Sequence, residues 1–580
     1  MIATVSTSTS ATVGFGPGRS PTPANHAVLA LGTNVGSLVN NVREAVAMLE
    51  SEGVVTERHS GLYSTTPVSP GVTQSRFLNA AVLVSTDAGP AELLRRVKRV
   101  ERRMGRETGG VRWGPRVMDI DIIFFNGAGS FTSPPLRLRD AEGRPLAVPH
   151  PRWRGRDFVV APVADLRDAR DDGEGQVGFR AALLRQVGAA GRLWDTRRAR
   201  GARARAAAAR NDPDAFLRDR VAANEGGGGS GRVEQSVYPA VGPAVVDSGP
   251  AGEWGSTGEA AFSRDVWRVM PVPGVTGGLV CWERRPHVMG ILNATPDSFS
   301  DGGVLGAMSP RIGEDMHVSS LAAVATAAVE AARRMVAAGA AVVDVGGQST
   351  RPGADPVPSA VEAARVVPVV RALRACPDLA MVPISVDTFD SRVAEAAIAA
   401  GAGIVNDVSG GSLCPEGGMH AMVARLGVPY VLMHMRGNPK TMTSLASYSP
   451  GGLVAEVAGE LAIQADAAVA AGIEPWRVIL DPGLGFAKTP GSSIALSRAC
   501  PEVRAALPTG TLRGAPLLVG PSRKGFLGVL TGHTVPADRD AATAASVAAL
   551  VGGGVEILRV HDVPSCVDAA RVGHALLTPP

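Results

Sequence analysis

Residues 341–353 read Ala-Val-Val-Asp-Val-Gly-Gly-Gln-Ser-Thr-Arg-Pro-Gly, a short apolar run that ends at Asp344 and continues into a glycine-rich loop. An Ala- and Val-rich stretch long enough for a helix follows at 360–375. The same unit of apolar run, loop and helical stretch recurs from His287 to the end of the chain. Its apolar runs are Val288–Leu292, Ala341–Val343, Ile384–Val386, Ile404–Val405, Tyr430–Met433, Val478–Leu480, Leu517–Val519 and Ile557–Val560.

Eight apolar runs separated by helical stretches are typical of a (β/α)8 barrel, an α/β fold of about 250 residues. We therefore predict a TIM barrel over residues 285–577. Two short apolar runs precede it, at 267–270 and 279–282. They predict a hairpin over 266–284 that covers the bottom of the barrel.

The first half of the chain has a different pattern of apolar and polar residues. Between residues 27 and 166, short apolar runs alternate with amphipathic stretches, which predicts a compact α+β domain. Residues 167–265 combine an Arg-, Ala- and Gly-rich run with Gly226–Gly229, so we predict a disordered linker there. Residues 1–26 are rich in Ser, Thr, Pro and Gly and contain no acidic residue, which fits either a flexible terminus or a short organelle transit segment.

Charge and cysteine content exclude several classes of protein. The 58 basic and 54 acidic residues leave a net charge of +4, which gives no reason to expect a nucleic acid or a membrane as partner. No strongly apolar run is long enough to span a bilayer. The 5 cysteines are scattered without a paired spacing, so neither a disulfide scaffold nor a cysteine zinc site is predicted.

Polar residues end or follow the apolar runs of the predicted barrel. They are Asn293, Asp344, Asp387, Asn406, His434, Asp481 and His561, with Ser522, Arg523 and Lys524 after the seventh run. A turn-capping role explains any one of them as well as a functional role does, but it does not explain the whole set. Because active sites of this fold lie at the carboxyl ends of the strands, we predict that these side chains form the active site.

The mixture of side chains indicates the kind of ligand. Two carboxylates and an amide suit the N–H edge of a nitrogen heterocycle: Asp387, Asp481 and Asn406. A second set suits a polyanion such as pyrophosphate: Asn293, Arg351, Arg559 and His561. The predicted ligand is therefore a heterocycle that carries phosphate.

Residues 287–577 resemble the dihydropteroate synthase family along the whole predicted barrel. The resemblance is carried by MGILNATPDSFSDGG at 289–303, DVGGQSTRPG at 344–353, SVDT at 385–388, ND at 406–407, LMHMRGNP at 432–439, DPGLGF at 481–486, SRK at 522–524 and RVHD at 559–562. It implies that the barrel condenses 6-hydroxymethyl-7,8-dihydropterin pyrophosphate with p-aminobenzoate, releasing pyrophosphate and dihydropteroate.

The resemblance also implies a role for each residue of the barrel site. The pterin would be bound by Asp387, Asn406, Asp481, Lys524 and Arg559. Among these, the catalytic residues would be Asp387, which stabilises a pterin cation, together with Lys524 and Arg559. Pyrophosphate and its Mg2+ would be bound by Asn293, Thr350, Arg351 and His561, with Asn293 contacting the metal. The p-aminobenzoate would lie against Phe299, Thr350, Pro352 and Ser522. Gln348 departs from the family, because bacterial members commonly have Glu there.

The sequence Asp119-Ile120-Asp121 opens a further apolar run in the first domain. Alternate side chains of a strand share a face, so both aspartates point the same way and repel each other unless a cation lies between them. Paired carboxylates suit Mg2+, usually together with nucleotide phosphates. The cations that phosphoryl transfer needs are close in sequence: Arg112, Arg116, His150 and Arg156.

These residues carry a second resemblance, over about 27–166, to the 6-hydroxymethyl-7,8-dihydropterin pyrophosphokinase family. Its motifs are ALGTNVG at 30–36, FLNAAV at 77–82, RWGPRVMDID at 112–121 and VPH at 148–150. The resemblance implies a ferredoxin-like fold. It also implies transfer of the β,γ-pyrophosphate of ATP to the pterin hydroxymethyl group, which leaves AMP.

The kinase resemblance assigns roles as well. Two Mg2+ ions would be bound by Asp119 and Asp121, and the transferred group would be stabilised by the catalytic residues Arg106 and Arg116. ATP would be bound by Arg112, His150 and Arg156. The pterin would be bound by Phe77, Asn79, Trp113 and Phe158, although core packing alone also explains each aromatic residue.

The two resemblances fit each other, because the product of the predicted kinase is the substrate of the predicted synthase. We therefore predict a bifunctional folate-biosynthesis enzyme that uses ATP and Mg2+ and lies in the cytoplasm or the mitochondrial matrix. Its other partners are small-molecule substrates, and its barrel forms a homodimer or a higher oligomer. The alternatives are a barrel that transfers a methyl group from an intact folate and a non-catalytic pterin-binding protein.

Overall fold

Two β-sheets of different construction organise the chain. They are seen in a computed structural model, which describes residues 25–67, 74–106, 114–126, 136–139, 145–168, 179–211, 266–273, 278–282, 285–294, 318–415, 417–508 and 510–577. The first sheet is antiparallel and belongs to the first domain, whereas the second is parallel and forms the barrel.

The first domain is formed by β1 (Asn25–Thr33), α1 (Leu38–Ser51), β2 (Val54–His59), β3 (Leu62–Thr65), β4 (Phe77–Thr86), α2 (Pro90–Arg103) and β5 (Asp119–Phe125). These elements follow a β-α-β-β-α-β order in which the second strand is divided into two segments, β2 and β3, that both pair with β4. The sheet order is β5-β1-β4-β3, with β2 also paired to β4, and every pair is antiparallel. This arrangement confirms the predicted ferredoxin-like fold. A hairpin of β6 (Leu136–Arg139) and β7 (Pro145–Val148) and helix α3 (Asp157–Asp165) follow.

Both faces of this sheet are covered by apolar side chains. Residues of β1 alternate between them, so that Leu29 and Leu31 pack with α1 and α2, whereas Val28 packs on the opposite side. On that opposite side, Phe124 of β5 and Val160 of α3 join the same cluster. The domain therefore has a second layer of helix on the face that carries the two aspartates.

The predicted disorder of residues 167–265 is wrong for residues 179–211, which form helix α4 (Phe179–Asn211). Four of its residues, spaced four, three and four apart, are buried against the first domain: Leu183, Val187, Ala190 and Trp194. This spacing places them on one side of a helix. The abundance of arginine and glycine concealed the apolar stripe. Residues 1–24, 169–178 and 212–265 lie outside the described residues, so the predicted disorder of those segments stays a prediction.

The hairpin before the barrel belongs to both domains. Its strands are β8 (Val266–Pro271) and β9 (Leu279–Val280). Strand β8 pairs with β3 and extends the first sheet, with Leu62 opposite Val269. Met270 and Trp282 pack against the first residues of the barrel strands, which agrees with the predicted covering of the barrel bottom. Pairing with the first sheet was not predicted.

The second half is a barrel of eight parallel strands in sequence order. They are β10 (His287–Asn293), β11 (Val342–Gly346), β12 (Ile384–Asp387), β13 (Ile404–Asp407), β14 (Tyr430–Met433), β15 (Val478–Asp481), β16 (Leu518–Val519) and β17 (Ile557–Val560). A bridge between Leu480 and Leu517 connects the two ends of the sheet. The predicted TIM barrel is confirmed, with each strand close to its predicted bounds.

Helices of the barrel pack Ala- and Val-rich faces on its strands. They are α5 (Val318–Ala337), α6 (Ser359–Ala375), α7 (Ser391–Ala400), α8 (Met419–Leu426), α9 (Leu453–Ala470), α10 (Pro490–Arg498), α11 (Cys500–Ala505), α12 (Gly510–Arg513), α13 (Gly525–Thr531), α14 (Asp540–Gly552) and α15 (Val563–Leu577). Val457, Leu461 and Ala465 of α9, for example, are almost completely buried. Within the described residues, no helix is both long and apolar enough to cross a membrane.

Polar contacts also hold the first domain against the barrel bottom. Arg268 of β8 forms an ion pair with Asp165 at the end of α3 and donates to the backbone carbonyl of Thr511, Nη1 to O at 2.8 Å. Arg43 of α1 pairs with Glu474 before β15, Nη2 to Oε2 at 2.7 Å. Because β8 and these ion pairs connect them, the two domains are in direct contact.

Candidate active sites

The carboxyl ends of the barrel strands bring the predicted polar residues together. In the register of neighbouring strands, Asn293 pairs with Gly346, Gly346 with Asp387, and Asp387 with Asn406. A Cβ atom on Gly346 would lie 3.6 Å from Oδ2 of Asp387 and 3.8 Å from Oδ1 of Asn293. At Gly346 only backbone therefore lies between the amide of Asn293 and the carboxylate of Asp387 in this row, and both side chains approach it closely.

Arg559 connects this row to a buried acid. Its Nε donates to Oδ2 of Asp344 at 2.6 Å, and its Nη2 donates to Oδ2 of Asp387 at 2.5 Å. Asn406 donates to the same Asp344 oxygen, Nδ2 to Oδ2 at 3.0 Å. Asp344, which lies inside β11 and is fully buried, thus orients two residues predicted to bind the pterin. The sequence marked Asp344 as the polar end of an apolar run but suggested no role for it.

Two carboxylates of the mouth hold their protons unusually strongly. Burial raises the pKa of Asp387 to about 6, because the charge of Arg559 only partly opposes desolvation. Burial likewise raises the pKa of Asp481 to about 6, although the backbone N–H of Gly483 donates to Oδ1 at 2.7 Å. Each carboxylate is therefore ionised at neutral pH but becomes protonated in mild acid.

Lys524 lies near both carboxylates. Burial lowers its pKa to about 8, while the charges of Asp481 and Asp387 oppose that shift. Its Nζ lies 4.2 Å from the ring centroid of Phe486, in cation–π contact. Phe486 belongs to the DPGLGF motif but received no predicted role. The Lys524 ammonium and the carboxylates of Asp387 and Asp481 therefore form a charged cluster beside the ring of Phe486.

Ser522 and His561, which follow the neighbouring strands β16 and β17, form a hydrogen-bonded pair. Ser522 Oγ lies 2.9 Å from Nδ1 of His561 and also accepts from the His561 backbone N–H at 3.1 Å. Burial lowers the pKa of His561 to about 3, and the charges of Arg523 and Arg559 add to this effect. His561 is therefore uncharged at neutral pH and acts as a hydrogen-bonding group. Positive charge that attracts an anion here must come from the arginines.

The loop after β11 carries the remaining predicted residues of the barrel. Thr350 is half-buried, whereas Arg351 and Pro352 are exposed. The backbone N–H of Gly353 donates to the carbonyl of Pro439 at 2.9 Å, which fixes the loop against its neighbour after β14. Phe299 lies outside the described residues.

Gln348 has an uncharged side chain that anchors this loop through two hydrogen bonds. Its Nε2 donates to Oε2 of Glu362 on α6 at 2.7 Å, and its Oε1 accepts from the backbone N–H of Val357 at 3.4 Å. Burial raises the pKa of Glu362 to about 7. A neutral amide complements the buried carboxyl group of Glu362, which gives a physical reason for glutamine at this position.

A second buried network lies beside Asp481 and was missed. Lys488 Nζ is 2.8 Å from Nδ1 of His434, and His434 Nε2 is 3.0 Å from Oε2 of Glu460. Burial lowers the pKa of Lys488 to about 7 and that of His434 to about 4. The backbone of His434 donates to the carbonyl of Asp481 at 2.9 Å. The only signal in the sequence was the position of His434 at the end of an apolar run.

The two aspartates of the first domain share one face of β5, as predicted. Ile120 and Ile122 point the other way, into the cluster with α1 and α2. In the sheet register, Gly32 of β1 lies between Asp119 and Asn79. Since glycine has no side chain, Asn79 can approach the backbone closely there: a Cβ atom on Gly32 would lie only 3.2 Å from Oδ1 of Asn79, tighter than an ordinary contact.

Asp119 is held by the two arginines that were predicted to act in catalysis. Arg106 Nη1 lies 2.6 Å from Oδ1, and Arg116 Nη1 lies 2.5 Å from Oδ2. Burial acts to raise the pKa of Asp119, but the two guanidinium charges outweigh it and the pKa is lowered. Glu101 of α2 also contacts Arg106, Oε2 to Nη1 at 2.6 Å, and accepts from the backbone N–H of Ile120 at 2.8 Å. Glu101 was missed because its partners are remote in sequence.

Asp121 is less well neutralised. Burial raises its pKa and the charge of Asp119 adds to the rise, while Arg156 lies at 4.0 Å, Nη1 to Oδ2. Burial lowers the pKa of His150, which the charge of Asp121 opposes. The Arg156 guanidinium lies 5.5 Å from the ring centroid of Phe158. The structure thus brings together three residues beside Asp121: His150, Arg156 and Phe158.

Asn79 and Phe77 lie on β4, next to β1. Asn79 is buried and donates to Thr65, Nδ2 to Oγ1 at 2.8 Å, while Phe77 is half-buried. Arg112 and Trp113 lie outside the described residues, so their predicted roles stay predictions.

The carboxylate pair fits a divalent cation. The two acids share one face, and burial together with the charge of Asp119 raises the pKa of Asp121, which the distant Arg156 at 4.0 Å does not offset. Across the described part of the chain, no group of three or more His, Cys, Asp or Glu residues could hold a metal by itself. The pair therefore suits an ion that takes its remaining ligands from phosphate and water, as Mg2+ does.

Known proteins match both domains. A family model described as 7,8-dihydro-6-hydroxymethylpterin-pyrophosphokinase matches residues 28–168, and one described as pterin binding enzyme matches residues 289–561. The mitochondrial folate synthesis bifunctional protein of Arabidopsis thaliana is 37% identical over 555 residues, covering 95% of this chain and 83% of that protein.

Other relatives match the barrel. Dihydropteroate synthase of Synechocystis sp. is 42% identical over 306 residues, covering 53% of this chain and 95% of that protein. A solved structure of Xanthomonas albilineans dihydropteroate synthase with 4-aminobenzoic acid is 38% identical, with a TM-score of 0.44, and covers 54% of this chain and all of that one. Because the two family models fall on the two domains in order and one relative matches nearly end to end, the chain belongs to the bifunctional folate synthesis proteins, which join a hydroxymethyldihydropterin pyrophosphokinase to a dihydropteroate synthase.

Proposed function

We propose that the kinase reaction takes place over Asp119 and Asp121 and the synthase reaction in the row that contains Asp387, each with the residues described above. The observation that carries this proposal is that each site places an acid paired with an arginine next to a glycine in the sheet register, Asp119 beside Gly32 and Asp387 beside Gly346. Two separate sites of this kind suit two consecutive reactions on one pterin.

In the kinase step, the pterin hydroxymethyl oxygen forms a bond to the β-phosphorus of ATP. The bond from that phosphorus to the α-phosphate oxygen breaks, AMP leaves with the electron pair, and the hydroxyl proton is released. Asp119 and Asp121 would hold Mg2+, which when bound would supply positive charge to the phosphates. Arg106 and Arg116 exchange Asp119 for phosphate oxygens and stabilise the transferred group.

Substrate binding in the kinase uses the neighbouring side chains. His150 and Arg156 bind ATP, together with Arg112. Phe77 and Phe158 contact the two faces of the pterin, Asn79 bonds to its edge, and Trp113 closes over it. The half-buried state of both phenylalanines and the position of Asn79 beside Gly32 support this arrangement.

In the synthase step, the bond between the pterin methylene carbon and the pyrophosphate oxygen breaks first, with the electron pair on the oxygen. The amine nitrogen of p-aminobenzoate then bonds to that carbon and loses a proton. Asp387 stabilises the cation formed between these events, because its ionised carboxylate lies beside the pterin position. The pterin itself is bound by Asp387, Asn406, Asp481, Lys524 and Arg559.

The departing anion and the second substrate bind at the outer part of the mouth. Pyrophosphate is bound by Asn293, Thr350, Arg351 and His561, and the Asn293 amide oxygen is a suitable ligand for the Mg2+ that accompanies it. The p-aminobenzoate lies against Phe299, Thr350, Pro352 and Ser522. Exposure of Arg351 and Pro352 suits groups that meet substrates arriving from solvent.

The barrel forms a homodimer or higher oligomer in this proposal. Several apolar side chains of α13 and α15 are more than half exposed: Val529, Leu530, Val572, Leu576 and Leu577. Burying such residues between copies removes apolar area from water. Light scattering should give at least twice the chain mass, and a monomer at micromolar concentration would contradict the proposal.

We propose that the protein lies in the cytoplasm or the mitochondrial matrix. The acid-free composition of residues 1–26 supports import, and relatives from Arabidopsis thaliana and Pisum sativum are named as mitochondrial proteins. Residues 1–26 fused to a fluorescent reporter distinguish the two places, since only an import signal carries the reporter into mitochondria.

Two half-reactions test the assignment of sites. Asp119→Ala should abolish AMP formation and leave the synthesis of dihydropteroate from supplied pterin pyrophosphate unchanged. Asp387→Ala should do the reverse. Loss of both activities in either variant, with folding retained, would contradict two separate sites.

A further inference from the structure

Helix α4 lies beyond residues 28–168, the part of the chain that the kinase family model matches. It nevertheless packs against the first domain, with Leu183, Val187 and Ala190 at most 1% exposed. Their partners include Val28 of β1 and Phe124 of β5, on the sheet face that carries the two aspartates. The first domain thus packs a helix that lies outside the residues matched by the kinase family model.

The far part of α4 reaches the start of α3. Arg197 pairs with the carboxylate of Asp157, the first residue of α3, through Nη1 and Oδ1. Its other nitrogen, Nη2, donates to the backbone carbonyl of Arg154 at 2.5 Å. Asp157 has a side chain only 4% exposed, and burial raises its pKa while the charge of Arg197 opposes the rise. One guanidinium therefore holds both the turn before α3 and the first turn of the helix.

Two substrate-binding residues lie within this held segment. Arg156 precedes α3, and Phe158 is its second residue. The turn at Trp153–Gly155 is itself anchored, because Trp153 is 3% exposed and its ring lies edge-on to Phe124 at 5.0 Å between centroids. A shift of the start of α3 would move Arg156 away from Asp121 and Phe158 away from the pterin position.

We propose that α4 is a structural part of the kinase and that Arg197 is a positioning residue for Arg156 and Phe158. This inference rests on the proposed roles of those two residues in binding ATP and pterin. Loss of Arg197 leaves the Asp157 carboxylate buried without its cation, so the first turn of α3 must move or take up a proton. The expected consequence is weaker substrate binding at the kinase with little effect on the barrel.

The experiment uses the full chain with Arg197→Ala, Arg197→Lys and the matched control Arg198→Ala, since Arg198 is the next residue and is exposed. Arg197→Ala should raise the kinase KM for ATP and pterin about tenfold, with a smaller change in kcat, because misplaced binding groups act mainly on substrate affinity. Arg197→Lys keeps the charge and should recover part of the loss. Synthase activity from supplied pterin pyrophosphate should be unchanged in all three variants.

Two further variants separate this inference from the site assignment. Phe158→Ala alone should raise the KM for pterin, and adding Arg197→Ala should then raise it by less than about twofold, because residues acting through one another are not additive. If Phe158→Ala has no effect, the proposed pterin site is wrong. If Phe158→Ala acts but Arg197→Ala and Arg197→Lys match Arg198→Ala, the positioning role is overturned. Should Arg197→Ala fail to fold, the uncharged variant Arg197→Gln replaces it, and a KM of that variant equal to that of the control overturns the role equally.

Discussion

Arg559 and Asp344 form a buried ion pair inside the barrel, with Nε donating to Oδ2 at 2.6 Å. Asp344 is fully buried, and its other oxygen, Oδ1, has no hydrogen-bond partner within the described residues. Because Asn406 donates to the same Oδ2, one acid orients two of the proposed pterin-binding residues. The site at the barrel mouth therefore depends on a residue that need not touch the substrate.

Asp344→Asn should impair the synthase and leave the kinase intact. Replacing the acid removes one of the two carboxylates paired with Arg559, which keeps Asp387, and weakens a buried charged hydrogen bond, lowering the free energy of unfolding by about 2 kcal/mol. We expect kcat/KM for dihydropteroate formation to fall by about a hundredfold, since a small misplacement of binding groups has that effect. The control is Asp378→Asn, which breaks an exposed pair with Arg333. Equal effects of the two variants on the synthase would contradict a role for Asp344.

The synthase should show a bell-shaped dependence of kcat/KM on pH. Asp387 and Asp481 have pKa values raised to about 6, so their ionised forms are lost as the pH falls through 6. Lys524 has a pKa lowered to about 8, so its charge is lost as the pH rises through 8. Initial rates with supplied pterin pyrophosphate between pH 5 and 9 measure this profile. A flat profile would show that none of these groups must be ionised.

Gln348→Glu should weaken the loop that carries Thr350 and Arg351. The new carboxyl group would face Glu362 across the 2.7 Å contact that the amide now makes, and because two like charges at that distance repel, either one group takes up a proton or the pair separates. We expect the KM for p-aminobenzoate to rise about fivefold, corresponding to about 1 kcal/mol. The double variant Gln348→Glu/Glu362→Gln restores one acid and one amide, so it should recover most of the loss. No recovery would mean that the pair does not hold the loop.

Arg268→Ala should destabilise the contact between the domains. Asp165 would lose its cation while its side chain is only 11% exposed, which costs about 3 kcal/mol in the free energy of unfolding. The comparison is Arg43→Ala, whose partner Glu474 keeps Arg477 and whose own side chain is 38% exposed, so its cost is at most about 1 kcal/mol. Thermal unfolding measures both. A smaller loss in Arg268→Ala than in Arg43→Ala would contradict this account of the interface.

The barrel was predictable because its pattern is local. Each apolar run gives one strand, and each polar residue at its end, such as Asp387 or Asp481, lies at the mouth. Other features depend on contacts between remote parts of the chain. Pairing of β8 with β3 and the contact of Glu101 with the backbone of Ile120 leave no periodic signal, so neither was predicted.

The amino-acid composition led to a wrong prediction for one segment, residues 179–211. Arginines dominate the stretch from Arg197 onward, and they concealed the four buried positions of α4 between Leu183 and Trp194. Arg197, the first arginine of that stretch, forms an ion pair with Asp157 of the first domain.

The central claim is that one chain performs both reactions in sequence. The most direct test incubates the purified full chain with ATP, Mg2+, 6-hydroxymethyl-7,8-dihydropterin and p-aminobenzoate and measures AMP and dihydropteroate together. Both products should form, and omitting p-aminobenzoate should stop dihydropteroate but not AMP. AMP without dihydropteroate in the complete mixture would contradict the synthase assignment, and the absence of both products would contradict the account as a whole.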